Sequence, residues 1–219
     1  MASSEENADR ATDRRKTAPR RRYRKRERAR QEAETRLRIV EAVMELHRTV
    51  GPAATTVTEV AERAGVSRMT VYNHFPTDAE LIEACSTHWS GLHPLPDPAR
   101  WREIADPDER LDAALAELYS WYAGTEDMMG KVLRDSGVVP ALGELMEERW
   151  WARVAEMTEA LAAGRGAPEG RAGRLRAALR LALDFHTWRT LTRAGLADEE
   201  AARLAAGTVR TAERNGGSA

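Results

Sequence analysis

The stretch from Thr56 to Phe75, TVTEVAERAGVSRMTVYNHF, restricts the fold more than any other part of the chain. It carries the punctuation of two short helices joined by a tight turn. Thr56 can cap the first helix, and Val57, Val60, Ala61 and Ala64 recur at the spacing that gives a helix one apolar face. Gly65 stands where the backbone must reverse, a position that calls for a positive φ. Val66 plugs the corner, and Ser67 can cap the second helix by accepting from its free N–H groups. On that helix Val71 and Phe75, four apart, point one way, whereas Arg68, Met69, Tyr72 and Asn73 point roughly the opposite way. Ala61 is small where the two helices would cross, which lets them approach closely. The pattern predicts a helix-turn-helix, whose second helix offers exposed side chains to a major groove. Any helical hairpin needs a glycine turn and apolar faces, so the context has to decide between the two readings.

Charge supplies part of that context. The formal net charge of the 219 residues is only −1, yet it is unevenly spread. From Arg10 to Arg30 twelve Arg or Lys stand against Asp13 and Glu27, a net +10, while the first nine residues carry −3 and the remainder therefore −8. A basic arm beside an acidic body suggests a polyanionic partner for the arm and solubility for the body. Residues 1–30 have scarcely an apolar side chain and are expected to be disordered when free. They read either as an arm that follows phosphates or enters a minor groove, or as a solvated tail. Cys85 is the only cysteine, which rules out an intramolecular disulfide and fits a reducing compartment. No apolar run approaches transmembrane length, and no signal-peptide core follows the basic segment, so a cytoplasmic protein with no membrane partner is expected.

Along the chain, a long helix is predicted from about Gln31 to Val50, with Leu37, Val40, Val43 and Leu46 on its apolar side and Gly51-Pro52 ending it. After the helix-turn-helix, Thr77 and Glu80 have the spacing of a capping box for a further helix that carries Leu81, Ile82, Ala84 and Trp89. Residues 31–89 thus form a compact head. SGLHPLPDP, from Ser90 to Pro98, is a breaker-rich joint, and residues 90–219 form the body. Asp97-Pro98 and Asp106-Pro107 are cap-then-proline helix starts. Leu111, Leu115, Leu118 and Tyr122 make one helical stripe, and Leu142, Met146, Trp150, Val154, Met157 and Leu161 a longer one. Gly164 to Gly170 reads as a loop, and Arg171 to Ala194 as one helix that is apolar nearly all round at its centre. A closing alanine-rich helix runs from Asp198 to about Ala212. With no convincing alternating strand, the chain is expected to be all-α.

From about Ile39 to Trp89 the sequence resembles the head of TetR-family transcriptional regulators, and TTVTEVAERAGVSRMTVYNHFPTDAEL within it follows that head residue class by residue class. The segment DFHTWRTLTRAGLADEEAARLA is similar to the closing helix pair of that family. The resemblance implies a bacterial, ligand-responsive repressor, not an enzyme. It would be a homodimer through its last two helices, placing two recognition helices in successive major grooves of a palindromic double-stranded DNA operator. It also implies a cavity in the C-terminal domain for a small-molecule effector. By position, Arg68, Met69, Thr70 and Asn73 would face bases, with Arg68 forking onto guanine and Asn73 pairing with adenine. Tyr72, His74 and Thr56 match positions that hold phosphate, and Ser67 caps the recognition helix among them. One departure is Asp78, where the family usually carries a phosphate-binding lysine, and a carboxylate there repels the DNA backbone.

Six tryptophans and seven methionines against two phenylalanines point to an adaptable, largely apolar cavity for a flat or greasy molecule. Trp121, Met128, Met129, Trp150, Met157, Phe185, His186 and Trp188 are its expected lining, and ordinary core packing is the alternative for each. No phosphate-cradling glycine loop, HExxH motif, Glu-x-x-His pair or nucleophile–base set is present, and no cofactor is expected. Cys85 and His88 lie three apart on one helix, but two ligands do not make a metal site. A ligand carrier or helical enzyme with an incidental helix-turn-helix is the alternative from another class. If the arginine-rich arm offsets Asp78, deleting residues 1–30 should weaken operator binding and flatten its salt dependence. An unchanged slope in a titration at several salt concentrations would remove the arm from the interface.

Overall fold

A computed structural model of the chain describes the backbone of residues 5–165 and 172–214, with side chains from Arg22 onward. The described residues form helices and turns without a strand. In the head, α1 (Glu5–Thr49) leads through a 3-10 turn (Pro52–Ala54) into α2 (Val57–Ala64), α3 (Arg68–His74) and α4 (Asp78–Leu92). The body comprises α5 (Pro98–Arg102), α6 (Pro107–Asp135), α7 (Pro140–Leu145), a π-helical segment (Met146–Trp151) and α8 (Ala152–Ala162). It closes with α9 (Ala172–Ala182), α10 (Phe185–Arg193) and α11 (Asp198–Arg214). The loop read at Gly164–Gly170 falls largely outside the described residues.

α1 is far longer than the Gln31–Val50 helix expected, because it takes in the basic arm from Glu5. The stretch read as disordered when free is therefore helical here. Its Arg, Glu and Ala content favours helix, and Arg28–Glu32, Arg30–Glu27 and Arg30–Glu34 pair along its surface. No side chain from Arg22 to Arg38 is buried, so this part rests on local pairs and, towards its end, on Arg36 over the Phe75 ring. Burial begins at Ile39, where α1 packs on α2 and α4 around Val43, Leu46, Val60, Val71 and Phe75.

α4 belongs to two cores. Leu81 and Cys85 face the head, whereas Ile82 and, further along, Trp89 pack against the body. The body is centred on α6, with α11 laid against α6 and α9 through Ala201, Ala202, Ala205, Ala206 and Val209. Small residues let these helices approach closely. Asp97 and Asp106 cap α5 and α6 as expected, Asp106 accepting from the N–H groups of Asp108 and Glu109, both at 2.8 Å. Only half of the expected capping box at Thr77 is present: its hydroxyl accepts from Glu80 N–H at 3.2 Å, with no return bond among the described residues.

The helix expected from Arg171 to Ala194 is divided at Leu183–Asp184. The Asp184 carboxylate competes with the helix by capping α10, accepting from His186 N–H at 2.8 Å and Thr187 N–H at 3.0 Å. Two fully buried phenols on α6 satisfy carbonyls at the break: Tyr119 donates to Ala182 O at 2.9 Å and Tyr122 to Leu183 O at 2.6 Å. Periodicity alone concealed this, because Leu179 and Leu183 before the break and Phe185 and Trp188 after it are all buried apolar residues. The break turns Phe185 and Trp188 into the ring cluster around Tyr122.

Head and body meet at the C-terminal end of α6. Asp135 is buried there, its carboxylate accepting from Ala53 N–H at 3.0 Å and from Arg134 Nε at 2.6 Å. These bonds hold it below the ordinary carboxylate range, the bond from Arg134 contributing most. Gly51, at φ 99°, passes so close that a Cβ would lie 2.6 Å from Asp135 Oδ2. His47, one turn back on α1, is buried against this junction, with Nδ1 3.7 Å from Cys85 Sγ. Burial lowers its pKa to about 4, with the Asp135 charge opposing that shift.

Two predictions follow from these contacts. Tyr122→Phe leaves the buried Leu183 carbonyl without its donor and should cost about 1–3 kcal/mol in urea unfolding, whereas Asp184→Ala should cost about 1 kcal/mol through the lost cap. The second concerns pH. The unfolded chain protonates His47 near pH 6.5, while the folded chain resists protonation until about pH 4, so acidification favours unfolding. Stability should be full above pH 6.5 and decline as pH falls towards 4, by up to about 3 kcal/mol from this residue. In His47→Gln that decline should be absent between pH 6.5 and 4.5, as read from urea midpoints.

Candidate functional site

The outward face of α3 is built from its ends inward. At the start of α2, Thr56 Oγ1 accepts from Glu59 N–H at 3.3 Å while the Glu59 carboxylate accepts from Thr56 N–H at 3.0 Å, a complete capping box. The Thr56 hydroxyl also donates to Glu59 at 2.7 Å, and this bond, foremost, holds the glutamate below its ordinary range. Thr56 is thus engaged locally at the exposed helix start. Gly65 closes α2 in the left-handed region at φ 65°. Ser67 then caps α3 by accepting from Thr70 N–H at 3.1 Å, with the two hydroxyl oxygens 2.9 Å apart.

Val71 and Phe75 fix the rotation of α3, at 1% and 2% exposure. The opposite side carries Arg68, Met69, Tyr72 and Asn73, all exposed, with Met69 at 68% and Tyr72 at 49%. Thr70 and His74 sit half-buried at the margins of that face. The structure thus brings Arg68, Met69, Tyr72 and Asn73 together with Ser67 and Thr70 at the helix start. The guanidinium of Arg36 lies 4.6 Å from the centre of the Phe75 ring, which ties the exposed part of α1 to the end of α3. Asp78 is exposed in the first turn of α4, beside Glu80, where a carboxylate suits the helix dipole.

A second feature is a cavity of about 110 Å³ at the seam between head and body. Trp121, Met128, Met129 and Trp150 are among the residues that line it. Trp121 and Trp150 lie 6.0 Å apart between ring centres at 21°, and Trp89 meets Trp121 edge-on at 5.8 Å. Met157, Phe185, His186 and Trp188 lie elsewhere. Met157 and Phe185 are core residues, and Trp188 is a core ring whose Nε1 donates to Asp198 at 2.8 Å. His186 is exposed, in a surface cleft with Glu126 and Arg189.

Sequence reasoning missed the head's share of the wall: His47 from α1, and Cys85, Ser86 and Trp89 from α4. It also missed Arg149 of the π segment. The spacing gave no signal for His47, since the apolar stripe of α1 explains its turn of helix without it. Burial pushes the Cys85 thiol up to about 12, so it is an unreactive protonated group. His88 lies apart from it, in a surface groove beside His74. Among the described residues no three His, Cys, Asp or Glu side chains are grouped to hold a metal. Nor is any helix there long and apolar enough to cross a membrane.

Residues 39–85 match the family described as bacterial regulatory proteins, tetR family. The HTH-type transcriptional regulator TtgR of Pseudomonas putida is 45% identical over 51 residues, which make up 23% of this chain and 24% of that protein. ArpR of Pseudomonas putida, a probable HTH-type transcriptional regulator by description, matches with the same identity and coverage. The chain thus spans about a quarter of the length of the curated relatives it matches. Solved structures resemble more of it. A transcriptional regulator from Rhodococcus sp. Rha1 has a TM-score of 0.53 at 25% identity, over 80% of this chain and 94% of that one. A TetR transcription regulator from Haloarcula marismortui has a TM-score of 0.52 at 15% identity, over 83% and 97%, and shares the fold. In its helix-turn-helix head, residues 39–85, the chain is therefore similar to the tetR family of bacterial regulatory proteins.

Proposed function

We propose that this protein is a cytoplasmic transcriptional repressor that binds a palindromic operator as a homodimer and is released by a small, largely apolar effector. One observation carries the reading: α3 is pinned by Val71 and Phe75 so that Arg68, Met69, Tyr72 and Asn73 stand clear on one exposed face. That is the arrangement a recognition helix needs to reach base edges. In this reading Arg68, Met69, Thr70 and Asn73 address bases, and Thr56, Ser67, Tyr72 and His74 address the backbone. The basic half of α1 adds contacts to phosphate that offset Asp78. Residues 31–89 act as the DNA-binding head, and residues 90–219 as the effector and dimer domain, with no catalytic role.

α10 and α11 form the dimer contact in this proposal. The alanine face of α11 is used within the subunit, which leaves Leu204, Thr208 and Thr211 on its outward side. An effector releases the operator only if it binds the released conformation more tightly, since differential affinity alone moves the equilibrium. The seam position of the cavity supports that coupling, because α1 and α4 of the head supply part of its wall.

A gel-shift titration against the gene's own upstream DNA, with nonspecific competitor at two salt concentrations, tests the reading. A competitor-resistant complex is expected. Arg68→Ala and Asn73→Ala should each weaken it by about 1–3 kcal/mol and relax sequence preference. If no selective complex forms there or in a selection from genomic fragments, the reading as a ligand carrier or helical enzyme replaces this one.

A further inference from the structure

We propose that the seam cavity takes a small, uncharged, single-ring aromatic molecule with one hydrogen-bonding group, its ring among Trp89, Trp121 and Trp150 and its polar group at His47. The proposal deepens the effector reading above and rests on it. Size is the first argument. The cavity measures about 110 Å³, whereas drug-sized ligand sites run from roughly 300 to 1,000 Å³ and a cavity of about 150 Å³ accommodates benzene. The volume is of the order of a single ring and well below that of a drug-sized site.

The wall is the second argument. Three indoles and the thioethers of Met128, Met129 and Met146 present flat, polarizable surface, which favours an aromatic ring over an alkyl group of equal volume. Charge is the third. Arg149 is the cationic side chain of the wall, and its guanidinium is paired with the Glu83 carboxylate at the surface. No carboxylate lines the cavity, and His47 is neutral at physiological pH because of its burial. An anionic or cationic ligand would lose its water without an uncompensated opposite charge in return.

The polar anchor follows from what His47 already touches. Its Nδ1 meets only the weakly hydrogen-bonding Cys85 sulfur, at 3.7 Å, and its Nε2 makes no hydrogen bond among the described residues. A neutral imidazole in that position can donate to or accept from a hydroxyl. His47 is also one turn from the junction with Asp135 and Ala53, so a ligand that engages it touches the helix leading to the DNA-binding unit.

Calorimetric titration of the full chain with phenol, toluene, hexanol and benzoate tests this. Phenol should bind about fivefold more tightly than toluene, the worth of one neutral hydrogen bond. Hexanol should bind more weakly than phenol, and benzoate at least about thirtyfold more weakly. In His47→Leu, phenol should fall to the toluene level with toluene unchanged, and His47→Gln should restore the preference. Ser86→Phe, which adds bulk to the cavity wall and leaves His47 in the sequence, should abolish binding of both rings and serves if His47→Leu fails to fold. Equal affinity for phenol and toluene in the unaltered chain, or benzoate or hexanol binding as tightly as phenol, would overturn the proposal. Gel shifts with phenol separate it from the regulator reading. Selective DNA binding by a chain that takes up no phenol overturns the ligand class alone. Phenol binding to a chain whose DNA complex ignores it supports the ligand class and overturns the effector role.

Discussion

The buried carboxylate of Asp135 is the contact on which the arrangement of head and body depends. It sits at the last residue of α6, where the helix dipole disfavours negative charge. It stays ionised because Arg134 and the Ala53 N–H both reach it. Removing either partner would leave a buried charge poorly compensated, a far larger penalty than losing a surface ion pair. The same carboxylate fixes the turn that follows α1 and therefore the start of α2. Gly51 is required beside it both by conformation and by space, since no side chain fits between that backbone and the carboxylate.

Because that contact ties α6 to the end of α1, the two cores are not independent. α4 gives Leu81 and Cys85 to one and Ile82 to the other. The cavity forms where the packing of these two sets is least complete. A division of the chain at residue 89 cuts through the cavity wall, which draws on residues from both sides of it.

How much the sequence disclosed depended on whether the signal was local. The Gly65 turn, the Ser67 cap and the opposed faces of α3 are set by neighbours within a turn or two, and all were legible. So were the Asp-Pro helix starts of α5 and α6. The division of the long apolar segment at Leu183–Asp184 was not, since it depends on Tyr119 and Tyr122, more than sixty residues away in the chain. The cavity was half legible for the same reason. Its Trp and Met residues stood out by composition, whereas His47 and Cys85 meet only when α1 and α4 pack. Phe185 and Trp188 looked like ligand contacts because aromatic residues are scarce, yet the break in the helix turns them into the core around Tyr122.

The π-helical segment Met146–Trp151 has a consequence for what changes this chain tolerates. Such a segment carries about one more residue per turn than regular helix, which lets Trp150 face the cavity while Val154 and Met157 stay in register with the body core. Each residue of an α-helix advances the chain by about 100° around its axis. Losing one residue here would let the segment relax to ordinary helix, but would swing everything on one side of the deletion by that angle. Either Trp150 would leave the cavity or the face of α8 would leave the core. The spacing between these two sets of residues is therefore under tighter constraint than their identities, and insertions or deletions here would be far more disruptive than exchanges of one apolar side chain for another.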